Sequence, residues 1–371
     1  MFSHSFRLGK ILGIEIEIDY TWFIILGLMA FGFARGLPQQ LELKGLHPAY
    51  YWLLGIAIAL LLFASVLIHE LSHSLLAKMN GLGIAGITLF LFGGVSKLVK
   101  EPRSALSELQ ISIVGPLVSL LLAGLFAIAH WLAVGPVLKT IFGVMAFINA
   151  LLAVFNLLPG LPLDGGRVLR AIIWYVSGSF AKATRIAAIA GQGIGFFLIL
   201  IGVMTLFRNF VSGLWMAFIG WFLIQAAQGS YQQSILRRLL SGVKVNSVMT
   251  SDVVTVAAEM TLEELVNDYF LVYNYAAFPV LRDGEVVGLI HLSDARKIPR
   301  ERWISTAVGE LVAPLRDQQV IAPEEDAWEA MAKMASEGTG RLLVMSEGVL
   351  HGIISRANVM RLIRTKMDLG A

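Results

Sequence analysis

The sequence predicts a polytopic α-helical membrane protein with six transmembrane helices, a re-entrant β-hairpin after the second, and an α+β tandem repeat at its C-terminal end. Three observations lead there. Of 371 residues, 57% are hydrophobic and only 15% charged, whereas soluble chains carry about 25% charged residues. The long apolar runs nearly all precede about residue 228. The last third then reads as a soluble sequence written twice, with Gly288 and Gly352 standing 64 positions apart. The chain therefore divides into a membrane domain (1–228), a connector (229–243) and a repeat pair (244–371, with units at about 244–300 and 306–366).

Met1 to Tyr20 mixes polar and apolar residues and has no continuous apolar core before a small-residue cleavage site, so no removable signal is expected. The alternation from Gly13 to Asp19 predicts a short strand at the membrane surface. A spanning helix needs about 20 largely apolar residues. The candidates are Trp22–Ala34, Tyr50–Ile68, Ile111–Val134, Ile141–Leu158, Ile186–Phe207 and Phe210–Ala227. The first is short and must borrow flanking residues.

An even number of spans puts both termini on one side. With the N-terminus inside, the cytoplasmic flanks hold Arg7, Lys10, Lys97, Lys100, Arg103, Arg167, Arg170, Lys182, Arg185, Arg237 and Arg238. The opposite face keeps Arg35, Lys44, Lys139 and Arg208. That bias predicts a multi-pass protein of the cell (plasma) membrane, in contact with lipid, with cytoplasmic N- and C-termini.

Ile84–Leu98 is apolar but too short to cross, and Ile87, Thr88, Phe90 and Phe92 favour extended structure around Gly86, Gly93 and Gly94. It reads as a hairpin dipping toward the bilayer, where protein or a cavity must satisfy its backbone. A loop lying on the headgroups is the alternative.

The net charge of +3 is small and scattered, which argues against nucleic acid as a partner. There is no cysteine, so a metal would have to be held by His, Asp or Glu. His69-Glu70-Leu71-Ser72-His73 offers that chemistry at the end of the second span. Histidines four apart share a helix face and can present nitrogen to one zinc ion, while Glu70 can act as general base toward its water. Ionisable groups are costly in a span and mark function there.

A catalytic zinc usually has a third protein ligand. His4 precedes the spans, His47 and His130 belong to the opposite face, and His291 and His351 lie in the repeat. Asp164 remains, in the run Asn156-Leu157-Leu158-Pro159-Gly160-Leu161-Pro162-Leu163-Asp164-Gly165-Gly166. The second and fourth spans both run inward, so the histidines and Asp164 reach the same membrane face. A simple turn or capping role is the alternative for Asp164.

The HExxH motif, the later N-x-x-P-x-x-P-L-D-G-G run and the hairpin between them resemble the site-2 protease family of intramembrane metalloproteases, over about residues 1–228. The resemblance implies one Zn2+ per chain on His69, His73 and Asp164, with Glu70 activating water. It implies that Asn156 helps hold substrate. It also implies that the hairpin (Ile87, Phe90, Gly93 and Gly94) pairs with an unwound transmembrane protein substrate as an added strand. Ser112-Ile113-Val114-Gly115-Pro116 is similar to a small-residue element of that family and is expected to serve packing.

The repeated units, each helix, strand, turn, strand and helix, resemble a tandem CBS pair, whose G-h-h-[ST]-x-x-D element implies an adenine nucleotide. Here Asp294 and Ser355 are the candidate contacts. Each copy departs from the element, with His291 at the hydroxyl position of the first and Asn358 at the carboxylate position of the second. A homodimerising scaffold is the alternative. A CBS-regulated membrane transporter or channel is the competing reading of the whole chain.

Overall fold

The computed structural model describes residues 5–40, 47–91, 93–98, 102 and 104–369. Its contacts divide it into two units, Met1–Gln232 and Gln233–Ala371. Of the basic residues weighed for topology, Lys44, Lys100 and Arg103 lie outside the described residues, as does Phe92 of the hairpin.

The first unit opens with an antiparallel pair, β1 (Ser5–Ile11) and β2 (Ile14–Asp19), followed by helices α1 (Thr21–Gln40) and α2 (Pro48–Met79). Strands β3 (Ile84–Phe90) and β4 (Gly93–Leu98) come next. Then follow α3 (Ala105–Leu132), α4 (Pro136–Asn156), α5 (Asp164–Ser177), α6 (Phe180–Leu206) and α7 (Phe210–Leu240). Helix starts carry the expected chemistry. The His47 ring caps α2 ahead of Pro48, and the Ser104 and Ser179 hydroxyls cap α3 and α6. Gly178, in the left-handed region, ends α5.

Among the described residues five helices (α2, α3, α4, α6 and α7) are long and apolar enough to cross a membrane, and the chain is an integral membrane protein. Helix α1 contributes a shorter apolar stretch, Thr21–Leu37. Large apolar side chains such as Phe147, Leu151, Phe196 and Met204 point outward, which suits lipid as the solvent.

Two boundaries move from their expected places. Helix α2 runs on past Ile68 through the histidines to Met79, because Leu75, Leu76, Ala77 and Lys78 are good helix formers. Residues 229–240, expected as connector, continue α7.

Ile84–Leu98 does form a hairpin, with Phe90 opposite Gly93. It is half of a larger sheet. Strand β2 pairs in parallel with β3 (Ile16 beside Ile87), giving the order β1-β2-β3-β4. Ile14, Ile16 and Ile87 bury against Leu67, Leu71 and Leu75 of α2. The sheet thus rests on the helix that carries the histidines.

In the second unit the sequence repeat becomes a structural one. Strands β5 (Val256–Ala257), β6 (Ala277–Arg282) and β7 (Glu285–His291) form one sheet; β8 (Val320–Ile321), β9 (Arg341–Ser346) and β10 (Val349–Ser355) form the other. Val280 faces Gly288 in the first, and Val344 faces Gly352 in the second. Each hairpin turns through a residue pair at positive φ, Asp283-Gly284 and Glu347-Gly348. A Cβ on Gly288 would strike Val312, and one on Gly352 would strike Met249, so each glycine admits a neighbouring chain. Helix Ala327–Ser336 opens the second copy of the repeat, whereas its counterpart from Leu262 in the first contains a π-helical stretch, Leu265–Phe270.

Candidate metal centre

His69 and His73 lie on successive turns of α2, both buried, with ring centroids 4.8 Å apart. Asp164 is the first residue of α5. The loop before it is packed through glycines. Gly160 abuts Gly191 of α6, Gly166 abuts the backbone of Gly160 and Leu161, and the Leu161 amide donates to the Ala187 carbonyl at 3.0 Å. No side chain fits between these backbones, which is what brings the carboxylate to α2 from 91 residues beyond His73.

The three donors converge. His69 Nε2 is 3.1 Å and His73 Nε2 3.2 Å from Asp164 Oδ2, and the two nitrogens are 3.2 Å apart. Tetrahedral zinc bonds of about 2.0–2.1 Å separate neighbouring donor atoms by about 3.3 Å. The triangle therefore has the size a zinc ion requires, and among the described residues it is the cluster of His, Asp and Glu side chains suited to a metal.

The outer nitrogens fix the ring orientations. His73 Nδ1 donates to the Ile111 carbonyl at 2.5 Å, which leaves Nε2 as the lone-pair face of a neutral imidazole. His69 Nδ1 meets the Ser119 hydroxyl at 2.9 Å. Both partners belong to α3. Between them, a Cβ on Gly115 would collide with both Nε2 atoms. The element expected to serve packing alone thus borders the donor triangle, and glycine is what lets α3 pass it.

Glu70 is partly buried beside the histidines, and a Cβ on Gly94 would lie 2.5 Å from its Cγ. Strand β4 therefore passes directly over Glu70, and the Ser74 and Ser96 hydroxyls, 2.9 Å apart, tie it to α2. Gly93 starts the same strand and Phe90 ends its partner. Ile87 is placed otherwise than expected. Its side chain is fully buried in the core, and its strand is paired on both sides, so among the described residues β4 and not β3 lies at the edge of the sheet.

Asn156 is the last residue of α4, partly buried. Two turns earlier on the same face, Asn149 is fully buried; its Nδ2 donates to Ser65 Oγ and the Met145 carbonyl, and its Oδ1 has no partner among the described residues. Ser65 precedes His69 by one turn of α2. Sequence reasoning missed Asn149, although the i, i+4, i+7 spacing of Asn149, Ala153 and Asn156 is visible in it.

In the second unit, Asp294 Oδ2 accepts from the His291 amide at 3.1 Å and Oδ1 from Lys297 Nζ at 2.8 Å. The Ser355 hydroxyl caps the helix Arg356–Asp368 and bonds Asn358 Oδ1, whose Nδ2 donates to Thr250 at 3.2 Å. Burial pushes the His291 imidazole, which stands at the hydroxyl position, down in pKa.

Peptidase family M50 matches residues 57–135 and 132–202, and the CBS domain matches 245–301 and 308–365. Zinc metalloprotease MJ0392 of Methanocaldococcus jannaschii is 30% identical over 97% of this chain and 96% of its own length. Rip3 of Mycobacterium tuberculosis is 35% identical over 96% of this chain and 92% of its own. The chain belongs to Peptidase family M50, the site-2 proteases, and carries tandem CBS domains. A solved structure, the site-2 protease from Methanocaldococcus jannaschii, is 32% identical and covers 62% of this chain and 95% of its own, with a TM-score of 0.43. Zinc is the metal implied for this M50 member by relatives bearing the name zinc metalloprotease.

Proposed function

We propose that this M50 protein is an intramembrane zinc metalloendopeptidase of the HExxH type, hydrolysing a peptide bond within or near the transmembrane segment of a membrane protein. The observation that carries the reading is the 3.1–3.2 Å donor triangle of His69, His73 and Asp164, set beside Glu70 inside an apolar helical unit. A transporter would leave that triangle unused.

In this reading His69, His73 and Asp164 would hold the ion, and the Ile111 carbonyl and Ser119 hydroxyl fix the orientation of the imidazoles through their outer nitrogens. When bound, zinc supplies Lewis acidity to the scissile carbonyl and lowers the pKa of the attacking water. Glu70 takes the proton from that water and returns it to the departing amine, since it is the carboxylate beside the donors that is not one of them. Asn156 holds the substrate carbonyl near the centre through its side-chain amide. A substrate helix must unwind first, because its own hydrogen bonds and side chains shield each carbonyl. The edge strand β4, passing over Glu70 at Gly93 and Gly94, offers the unwound segment backbone partners.

We place six spans, α1 among them, in the plasma membrane with both termini cytoplasmic, and read the chain as an agent of regulated intramembrane proteolysis. The CBS pair supplies the regulation, either by taking an adenine nucleotide at Asp294 and Ser355 or by joining two chains. Purified protein in lipid should cleave a membrane-spanning reporter, lose cleavage on treatment with a zinc chelator, and regain it with zinc but not magnesium. Cleavage indifferent to the chelator would overturn the metal assignment.

A further inference from the structure

Glu108 and Arg170 form an ion pair in the membrane unit, with side-chain exposures of 0% and 9%. Arg170 Nε donates to Glu108 Oε1 at 2.7 Å and a second guanidinium nitrogen donates to the same oxygen. Arg167 Nε stands 4.0 Å from that oxygen, and Glu108 Oε2 is buried with no partner among the described residues. The Arg170 guanidinium also lies over the Phe180 ring, 4.8 Å from its centroid. Arg170 was counted above among the basic flanks that face the cytoplasm; its side chain is instead committed inside the protein.

Such a pair is a poor device for stability alone, because apolar residues of similar volume often serve as well or better. Its location suggests another use. Glu108 belongs to a buried stripe of α3 that continues through Ile111, Ser112, Gly115 and Ser119. That stripe provides both outer partners of the imidazoles. Arg170 belongs to α5, whose first residue is Asp164, six positions or about 9 Å away along the axis. The pair therefore ties the helix that carries the third donor to the helix that orients the other two.

The glycine contacts at the start of α5 permit close approach but give no directional hold on rotation or axial slide. Among the described residues, the hydrogen bonds of the Asp164 carboxylate go to His69 and His73. A guanidinium held through two nitrogens is directional, and its stacking on Phe180 engages α6 as well. We infer that Glu108 and Arg170 are positioning residues of the metal centre, a clamp that sets the register of α5 against α3 and so places Asp164 within reach of the histidines.

The inference rests on the metal-centre reading, and the experiment separates the two. Full-length wild type, Glu108→Gln, Arg170→Lys and Arg170→Met are purified in detergent as monodisperse protein. Each is titrated with zinc against a competing chelator, and the visible spectrum of cobalt bound in zinc's place is recorded. Wild type should bind one zinc. Arg170→Met should bind about 10–100-fold more weakly, the range typical of lost outer-shell partners, with an altered cobalt spectrum. Arg170→Lys and Glu108→Gln, which keep volume and part of the bonding, should fall between. Wild-type affinity in all three variants, with only a lowered melting temperature, would reduce the pair to packing while leaving the metal centre intact. Failure of all three to yield monodisperse protein would equally favour a structural role. Failure of wild type itself to bind zinc would overturn the metal reading and the clamp with it.

Discussion

The membrane unit and the C-terminal repeat both offer polar side chains that sequence patterns mark as functional, but they use them differently. In the membrane unit, His69 and His73 of α2 and Asp164 of the distant α5 point their donor atoms at one another. In the repeat, Asp294 bonds the amide of His291 three residues back, and Ser355 caps the helix that follows it. Two imidazole nitrogens and a carboxylate oxygen converging from separate helices make a donor set that a cation can occupy. A carboxylate or hydroxyl satisfied by its own helix terminus needs nothing further. The difference is between donor atoms that converge from separate helices and polar groups whose hydrogen bonds are made at their own helix terminus.

Substitutions can break or sharpen that contrast. The largest effect is expected from Gly115→Ala, which drives a methyl into both imidazoles; zinc binding should fall by more than about 100-fold while the protein stays helical by circular dichroism. Asp164→Ala should lower zinc affinity by at least about 100-fold, because two ligands remain of three; unchanged zinc content would sink the three-ligand account. Asn156→Ala should leave zinc content at the wild-type level and lower kcat for a reporter by about 10–100-fold. Ser119→Ala should weaken zinc by about tenfold through loss of an imidazole partner. In the repeat, Asp294→Ala should leave zinc untouched and cost about 1 kcal/mol of thermal stability, the size of a lost helix cap. Calorimetric titration of the full chain with ATP, ADP and AMP sharpens the same point. Heat that disappears in Asp294→Ala would restore a ligand role to that carboxylate, and no heat at millimolar nucleotide would leave it a cap.

Much of the membrane unit was legible because span length and apolarity are local properties. The two histidines could be read from i, i+4 spacing, and Asp164 from the direction in which α2 and α4 cross. Ile111 could not be found this way, since it acts through its carbonyl, which every residue possesses. Ser119 and Asn149 carry the right chemistry, but which helix face meets α2 is settled by tertiary packing. The β3–β4 hairpin could be read from its glycines and β-prone residues, yet its parallel neighbour β2 lies about 70 residues upstream, and such non-local pairing leaves no periodicity in the sequence. Arg170 looked like a topology signal because a lone arginine after a span resembles a snorkelling flank until Glu108 is seen opposite it. In the repeat, the 64-residue period carried directly into matched strand registers at Gly288 and Gly352. The π-helical stretch at Leu265–Phe270 left no signal of that kind.

The proposed chemistry of Glu70 at a metal held by its neighbours is tested most directly by cleavage of a membrane-spanning reporter by wild type and by Glu70→Gln, each with its zinc content measured. Full zinc occupancy is expected in both proteins, with a loss of cleavage in Glu70→Gln on the order of 100-fold or more, the size of general-base catalysis. Equal cleavage by the two proteins at equal zinc occupancy would contradict it.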